Sequence, residues 1–232
     1  MKTGVIHDTV DFFYPRNCSA CGCSLERNEE LICLDCSNTL PRTHFHNLKE
    51  NPVSKVFWGR IPLQWATAYF YFAKESRVQE ALHHIKYKGQ KDLAVIIGQW
   101  FGEDLKSNPV FYHSIDYIIP VPLHPKKEKQ RGFNQSEYLA KGMAEKMNKS
   151  ISVGNLVRNV HTSSQTRKSR FKRWENVKDI FEVKDKGYFT GKHVLLVDDV
   201  ITTGSTIEAC YAALSDCPGL KLSIASIAYA AC

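Results

Sequence analysis

Short apolar runs alternate with segments of helical period along most of this chain. Residues 65–72 form an aromatic, β-prone run that reads as a strand. Ser76 then caps a predicted helix whose apolar stripe includes Val78, Leu82 and Ile85, ending near Gly89. A second helix comes next, with Leu93, Ile96, Ile97, Trp100, Phe101 and Leu105 on its buried side. Residues 115–121 are a short apolar strand punctuated by Pro120 and Pro122. After it come a polar, basic loop over 124–135 and a helix over 137–147. Residues 156–160 and 180–183 suggest two more strands. The four apolar residues Val194, Leu195, Leu196 and Val197 read as a buried strand, trailed by a helical pattern (Ile207, Cys210, Tyr211, Leu214) and a last strand over 222–229. Strands alternating with helices predict an α/β fold: an open parallel sheet with flanking helices and right-handed crossovers.

The first third departs from this rhythm. Val10, Phe12, Phe13 and Tyr14 make a short helical lead-in ended by Pro15, too short to fold alone and expected to pack on the cysteine-rich segment after it. The stretch 40–63 contains Pro41, Pro52 and Pro62 with little periodicity and reads as a connector. Three parts result: residues 1–45, a helix and a cysteine module; 46–64, a connector; and 65–232, the α/β domain.

Composition changes the picture little. At 43% hydrophobic and 24% charged residues the chain has an ordinary globular balance. No apolar run approaches the ~18–20 residues of a membrane span. The N-terminus lacks the apolar core of a signal peptide, so a cytoplasmic location is expected. Charge is more telling. The net +7 favours anionic partners, and it is concentrated: residues 158–178 hold seven Lys/Arg against one acid, Glu175, and Lys126, Lys127, Lys129 and Arg131 form a second group. Either could be a plain solvated loop, but both fall between predicted strands of the α/β domain.

Five of eight cysteines lie between residues 18 and 36. Cys18-x-x-Cys21 and Cys33-x-x-Cys36 are two knuckles, and each such turn supplies two soft ligands to a tetrahedral Zn²⁺. Two disulfides are the alternative, disfavoured in a reducing compartment. Cys23 competes with Cys21 for one position, and Gly22 favours Cys21. Four thiolates leave no open position for substrate, so the zinc is expected to be structural. His44 and His46 are expected to be solvated loop residues, and Cys210, Cys217 and Cys232 core or incidental.

The chemistry concentrates after the 194–197 strand, where Asp198 and Asp199 precede Thr202, Thr203, Gly204, Ser205 and Thr206. Ligands of open α/β sheets bind beyond the carboxyl ends of the strands. A hydroxyl- and glycine-rich turn at a helix N-terminus cradles phosphate with backbone N–H groups. Paired acids suit ribose hydroxyls or a Mg²⁺ ion. A Walker B strand is excluded because the chain lacks a G-x-x-x-x-G-K-[ST] loop. The segment resembles the phosphoribosyl-pyrophosphate (PRPP) fingerprint of type I phosphoribosyltransferases.

Four blocks in order extend the resemblance to the ComF family of the ComFC type, a zinc module joined to a type I phosphoribosyltransferase domain. They are the cysteine knuckles; Leu82-His83-His84-Ile85-Lys86-Tyr87-Lys88-Gly89; Pro120-Val121-Pro122-Leu123-His124 with Arg131-Gly132-Phe133-Asn134-Gln135; and the fingerprint. A looser fifth is Thr166-Arg167-Lys168-Ser169-Arg170 with Arg173. The resemblance implies a type I phosphoribosyltransferase-like sheet behind a zinc-ribbon-like module. It implies that Asp198 and Asp199 bind the ribose hydroxyls, directly or through Mg²⁺, and that residues 202–206 hold the 5′-phosphate. Arg131 and the neighbouring lysines become candidates for pyrophosphate, and Arg167, Lys168, Arg170 and Arg173 for a closing hood loop. It implies Mg-dependent phosphoribosyl transfer to an unidentified acceptor, a role in DNA uptake with competence machinery, or both. The alternative is a non-catalytic PRPP sensor that binds single-stranded DNA, with Phe133, Phe171 and Trp174 available to stack on bases. A salvage- or amidotransferase-like activity is a third reading. Lys86, Tyr87 and Lys88 get no role beyond cations at a helix end.

Overall fold

The computed structural model describes residues 16–159 and 180–231. The expected lead-in helix, Cys232, and Arg167, Lys168, Arg170, Phe171, Arg173 and Trp174 lie outside the described residues. In chain order the elements are α1 (Leu34–Thr39), α2 (Pro52–Val56), β1 (Leu63–Phe72), α3 (Arg77–Tyr87), α4 (Lys91–Lys106), α5 (Pro109–Ser114), β2 (Tyr117–Pro120), α6 (Pro125–Arg131), α7 (Gln135–Met147), β3 (Ser150–Ile151), β4 (Leu156–Arg158), β5 (Phe181–Val183), β6 (His193–Ile201), α8 (Ser205–Leu214) and β7 (Lys221–Ala230).

Five strands pair in the order β1-β7-β6-β2-β3, every pair parallel. β6 is central, bonded to β2 and β7 and covered on both faces, which is why it reads as a continuous apolar run. Alternation along it divides the core. Leu195 and Val197 face α4 and α7, packing with Leu93, Ile97, Phe101, Leu139 and Met143. Val194 and Leu196 face α8, packing with Ile207, Cys210 and Leu214. Cys210 and Cys217 are buried core residues, as expected.

Helices α4 and α7 meet backbone to backbone. A methyl group on Gly142 would overlap the Val95 carbonyl, and one on Gly98 the Leu139 carbonyl. Only hydrogen at those positions lets the helices approach so closely, and the approach carries the N-terminus of α7 to the end of β6. Ser76 caps α3 as predicted, its hydroxyl accepting from the Gln79 N–H at 3.2 Å.

Several expectations need correction. The stretch 124–135 is not a loop throughout. It contains α6, with His124 Nδ1 accepting from the Lys126 N–H and Gly132 ending the helix at φ 81°. This helix has no buried residue, so it left no apolar period to read. The strands predicted at 156–160 and 180–183 exist as β4 and β5 but pair with each other, antiparallel, outside the main sheet. The stretch 40–63 is more than a connector. Asn51 caps α2 in a reciprocal box with Ser54, and Phe45, Val53, Phe57 and Ile61 are buried in the core on the α8 face. His46 is buried rather than solvated, because the 3₁₀ turn Phe45–Asn47 packs on β1, and its carbonyl accepts from Asn108. Among the described residues no helix is long and apolar enough to cross a membrane.

Candidate functional site

At the carboxyl end of β6, Asp198 is buried and Asp199 only partly so. Asp198 Oδ1 accepts from the Asp199 N–H at 2.8 Å and from the Ser136 hydroxyl at 3.4 Å. Burial, reinforced by the adjacent Asp199 charge, pushes the Asp198 carboxyl up to about 7. Asp199 Oδ2 accepts from Gln135 Nε2 at 2.8 Å and pairs with Lys86 Nζ at 2.9 Å. Arg131 Nη1 donates to Gln135 Oε1 at 2.8 Å, and its guanidinium lies over the Tyr87 ring, 5.4 Å from the centroid. The end of α3, the end of α6 and the start of α7 therefore converge on the acid pair. The Leu82–Gly89 and Arg131–Gln135 blocks, distant in sequence, meet there.

Beyond the pair, the chain turns through Thr202 and Thr203 into α8. Gly204 is the N-cap at φ 79° and makes no side-chain cap, so N–H groups of the first helical turn are left for a ligand. Thr203 and Ser205 hydroxyls lie 3.0 Å apart. Asp198, Val200 and Ile201 line one small cleft with residues 202–207. The turn is braced from below. Arg60 Nη1 donates to the Thr203 carbonyl at 3.0 Å and to the Val56 carbonyl at 2.8 Å, and Arg60 also pairs with Glu208. The buried Phe57 ring lies directly against Gly204.

The structure thus brings Asp198, Asp199, Thr202, Thr203, Gly204, Ser205, Thr206 and Arg131 to one edge of the sheet. Lys126, Lys127 and Lys129 stand exposed on α6, ahead of Arg131. Phe133 is not available for stacking on bases: it is buried, edge-on to Tyr138 at 5.4 Å. Sequence reasoning missed Lys86, Gln135, Ser136, Arg60 and Phe57. Gln135 and Lys86 fall within the family-like blocks but had no role there. The sequence Asn51-Pro52 with Ser54 at the third helical position marks the start of α2, which leads to Phe57 and Arg60.

The second constellation is N-terminal. The sulfur atoms of Cys18, Cys21, Cys33 and Cys36 all lie within 4.8 Å of one another. Cys21 and Cys33 sulfurs are 3.7 Å apart, close to the roughly 3.8 Å edge of a tetrahedron with ~2.3 Å Zn–S bonds. Gly22, at φ 76°, donates to the Cys18 carbonyl at 2.8 Å and closes the first knuckle. Backbone N–H groups of Cys33 and Cys36 point at the Cys18 and Cys33 sulfurs. The backbone N–H of Cys23 holds the Cys21 thiol down to about 6. The donor set fits a tetrahedral thiolate metal such as Zn²⁺. Cys23 stands 3.2 Å from Cys21 outside this group of four. Arg77, the first residue of α3, reaches the cluster: its Nη1 lies 3.7 Å from Cys36 Sγ and 2.7 Å from Asp35 Oδ2.

Comparison with known proteins shows what this chain is similar to. Residues 134–232 match the phosphoribosyl transferase domain family, and this span contains β6, the acid pair, the turn and α8. The chain is also similar, over parts of its length, to proteins named competence or DNA utilization proteins. It is 39% identical over 93 residues to competence protein F of Haemophilus influenzae, covering 39% of this chain and 40% of that protein. It is 26% identical over 192 residues to the DNA utilization protein YhgH of Shigella flexneri, covering 82% of this chain and 80% of that one. Competence protein ComFC of Bacillus subtilis is 27% identical over 133 residues, 56% of this chain and 50% of its own length.

Proposed function

We propose that this chain binds PRPP and transfers its phosphoribosyl group to an acceptor with release of pyrophosphate. The observation that carries this is the β6–turn–α8 unit. It places an acid pair and an uncapped phosphate turn side by side at the carboxyl edge of a parallel sheet. In this reading the 5′-phosphate sits on the turn at residues 202–206, and the ribose hydroxyls bind the carboxylates of Asp198 and Asp199. A Mg²⁺ ion, which takes one or two carboxylates with substrate phosphate oxygens, would neutralise charge that builds on the leaving group. The chain's own residues do the rest. Asp199, held by Gln135, orients the sugar, and Ser136 with the Asp199 N–H fixes the buried Asp198. As the C1–O bond breaks, the pair's negative charge favours the cationic sugar and Arg131 the departing pyrophosphate. The acceptor's nucleophile then bonds to C1 and gives up its proton to the released pyrophosphate or to water.

The names of the relatives carry the second half of the proposal: the chain serves DNA utilization or competence. The cysteine cluster, in the same reading, holds a structural zinc ion that fixes the N-terminal module.

Calorimetric titration with PRPP and Mg²⁺ tests the first half. Tight binding in the native chain, lost in Asp199→Asn, is the expected result; no binding overturns it. Pyrophosphate release with some acceptor separates a transferase from a sensor. An acceptor screen that gives no turnover despite tight binding selects the non-catalytic alternative. For the DNA role, a gel-shift titration with single-stranded DNA should show steep salt dependence and loss on neutralising Arg167, Lys168 and Arg170.

A further inference from the structure

Lys86 is the residue whose position asks most for an explanation. It lies in the last turn of α3, where a lysine could simply offset the helix dipole. A dipole alone needs no partner, however, and the Lys86 ammonium is committed to Asp199 Oδ2 at 2.9 Å, with both side chains largely withdrawn from water. The neighbouring Lys88 is exposed. Asp199 therefore carries two donors, Lys86 and Gln135, in the place where the proposed ribose hydroxyls must bind.

The two sides of the acid pair differ in chemistry. The phosphate turn leads into α8, on the face of the sheet that holds Val194 and Leu196. Lys86 and Gln135 come from α3 and α7, whose cores pack on the opposite face with Leu195 and Val197. Arg131 joins them through Gln135. The site thus runs from an anion-binding turn, across two carboxylates, to a pair of cations. PRPP has the same order: a 5′-phosphate, a vicinal diol, and a pyrophosphate on the carbon beside the diol.

Resting on the function proposed above, we propose that Lys86 is a pyrophosphate-binding residue that is stored on Asp199 in the free protein. When sugar hydroxyls take the carboxylate, the ammonium loses its counter-ion and re-aims at the pyrophosphate, one carbon away. A lysine suits this exchange, because a point charge on a flexible stem can change partners where a planar guanidinium would lose its fork geometry. Asp199 is thereby kept paired in the free site, and the leaving group acquires a cation only when ligand is bound.

The test compares PRPP with ribose 5-phosphate, which shares the phosphate and diol but has no pyrophosphate, both titrated calorimetrically with Mg²⁺. Lys86→Met should weaken PRPP at least tenfold, the scale of one lost charge-assisted hydrogen bond. Ribose 5-phosphate should change less than twofold. Lys86→Arg should recover part of the PRPP affinity, and Lys88→Met, which removes the same charge nearby, should change neither ligand. Lys86→Gln, which keeps a donor for Asp199, replaces Lys86→Met should the latter melt early by circular dichroism. Equal losses for both ligands would make Lys86 a support for Asp199 only and overturn the proposal, as would unchanged PRPP binding. A native chain that binds neither ligand overturns the function proposed above and this inference with it.

Discussion

Gly204→Ala tests how the phosphate turn is held. Gly204 sits at φ 79°, a left-handed conformation that costs an L side chain about 1–2 kcal/mol. The new methyl would also lie 2.5 Å from Phe57 Cε1, 2.9 Å from Phe57 Cζ and 3.1 Å from Val56 Cγ1. Ordinary carbon contacts begin near ~3.5 Å, so the ring or the turn must move by roughly 1 Å. Phe57 is wholly buried and has little room to retreat. Overpacking of this kind costs about 1–3 kcal/mol, for a total of about 2–5 kcal/mol. At about 2–4 °C per kcal/mol for a domain of this size, the melting temperature should drop by roughly 4–20 °C. Circular dichroism melts of Gly204→Ala, Phe57→Leu and the double variant separate the two costs. The smaller leucine relieves the clash but not the backbone strain, so the double variant should be less damaged than the sum of the singles. Ribose 5-phosphate affinity should drop with Gly204→Ala and recover in part in the double variant. A melting temperature within about 2 °C of native, or strict additivity, would refute the bracing of the turn by Phe57.

Two further outcomes are expected. Asp198 is raised from 3.8 to about 7, so between those values the folded chain keeps a proton that the unfolded chain has released. Its contribution to stability is full below pH ~4 and is lost as pH rises through about 7; Asp198→Asn should therefore gain melting temperature relative to native on going from pH 6 to pH 8, and a constant difference would contradict the assignment. Among the cysteines, zinc per chain by elemental analysis should stay near one in Cys23→Ser and fall in Cys21→Ser, which should also weaken the thiolate absorption of a cobalt-substituted sample; the reverse pattern would exchange their roles.

The parts of this site legible in the sequence are those written in one contiguous stretch. Asp198 to Thr206 come directly after a buried strand, and both knuckles of the cysteine cluster are local turns, so their chemistry could be read with no knowledge of packing. Gln135, Ser136 and Lys86 reach the acid pair only because α3 ends and α7 begins where β6 ends, a placement that depends on Gly98 and Gly142 letting two helices touch. Nothing in the local pattern of Lys86 says which acid it meets. Phe57 and Arg60 were hidden for a related reason: α2 is five residues long, too short to show a period, and its role depends on a turn far along the chain. The same logic connects the two constellations. Arg77 at one end of α3 touches the cysteine cluster, and Lys86 at the other touches Asp199, about 14 Å further along a helix that rises 1.5 Å per residue. A helix this short is stiff, and its start is tied to Asp35 and Thr39 of the N-terminal module as well as to Cys36. Fixing that module therefore fixes the reach of Lys86. The cysteine cluster supplies no group to the acid pair, yet it anchors the helix on which one side of that pair is built.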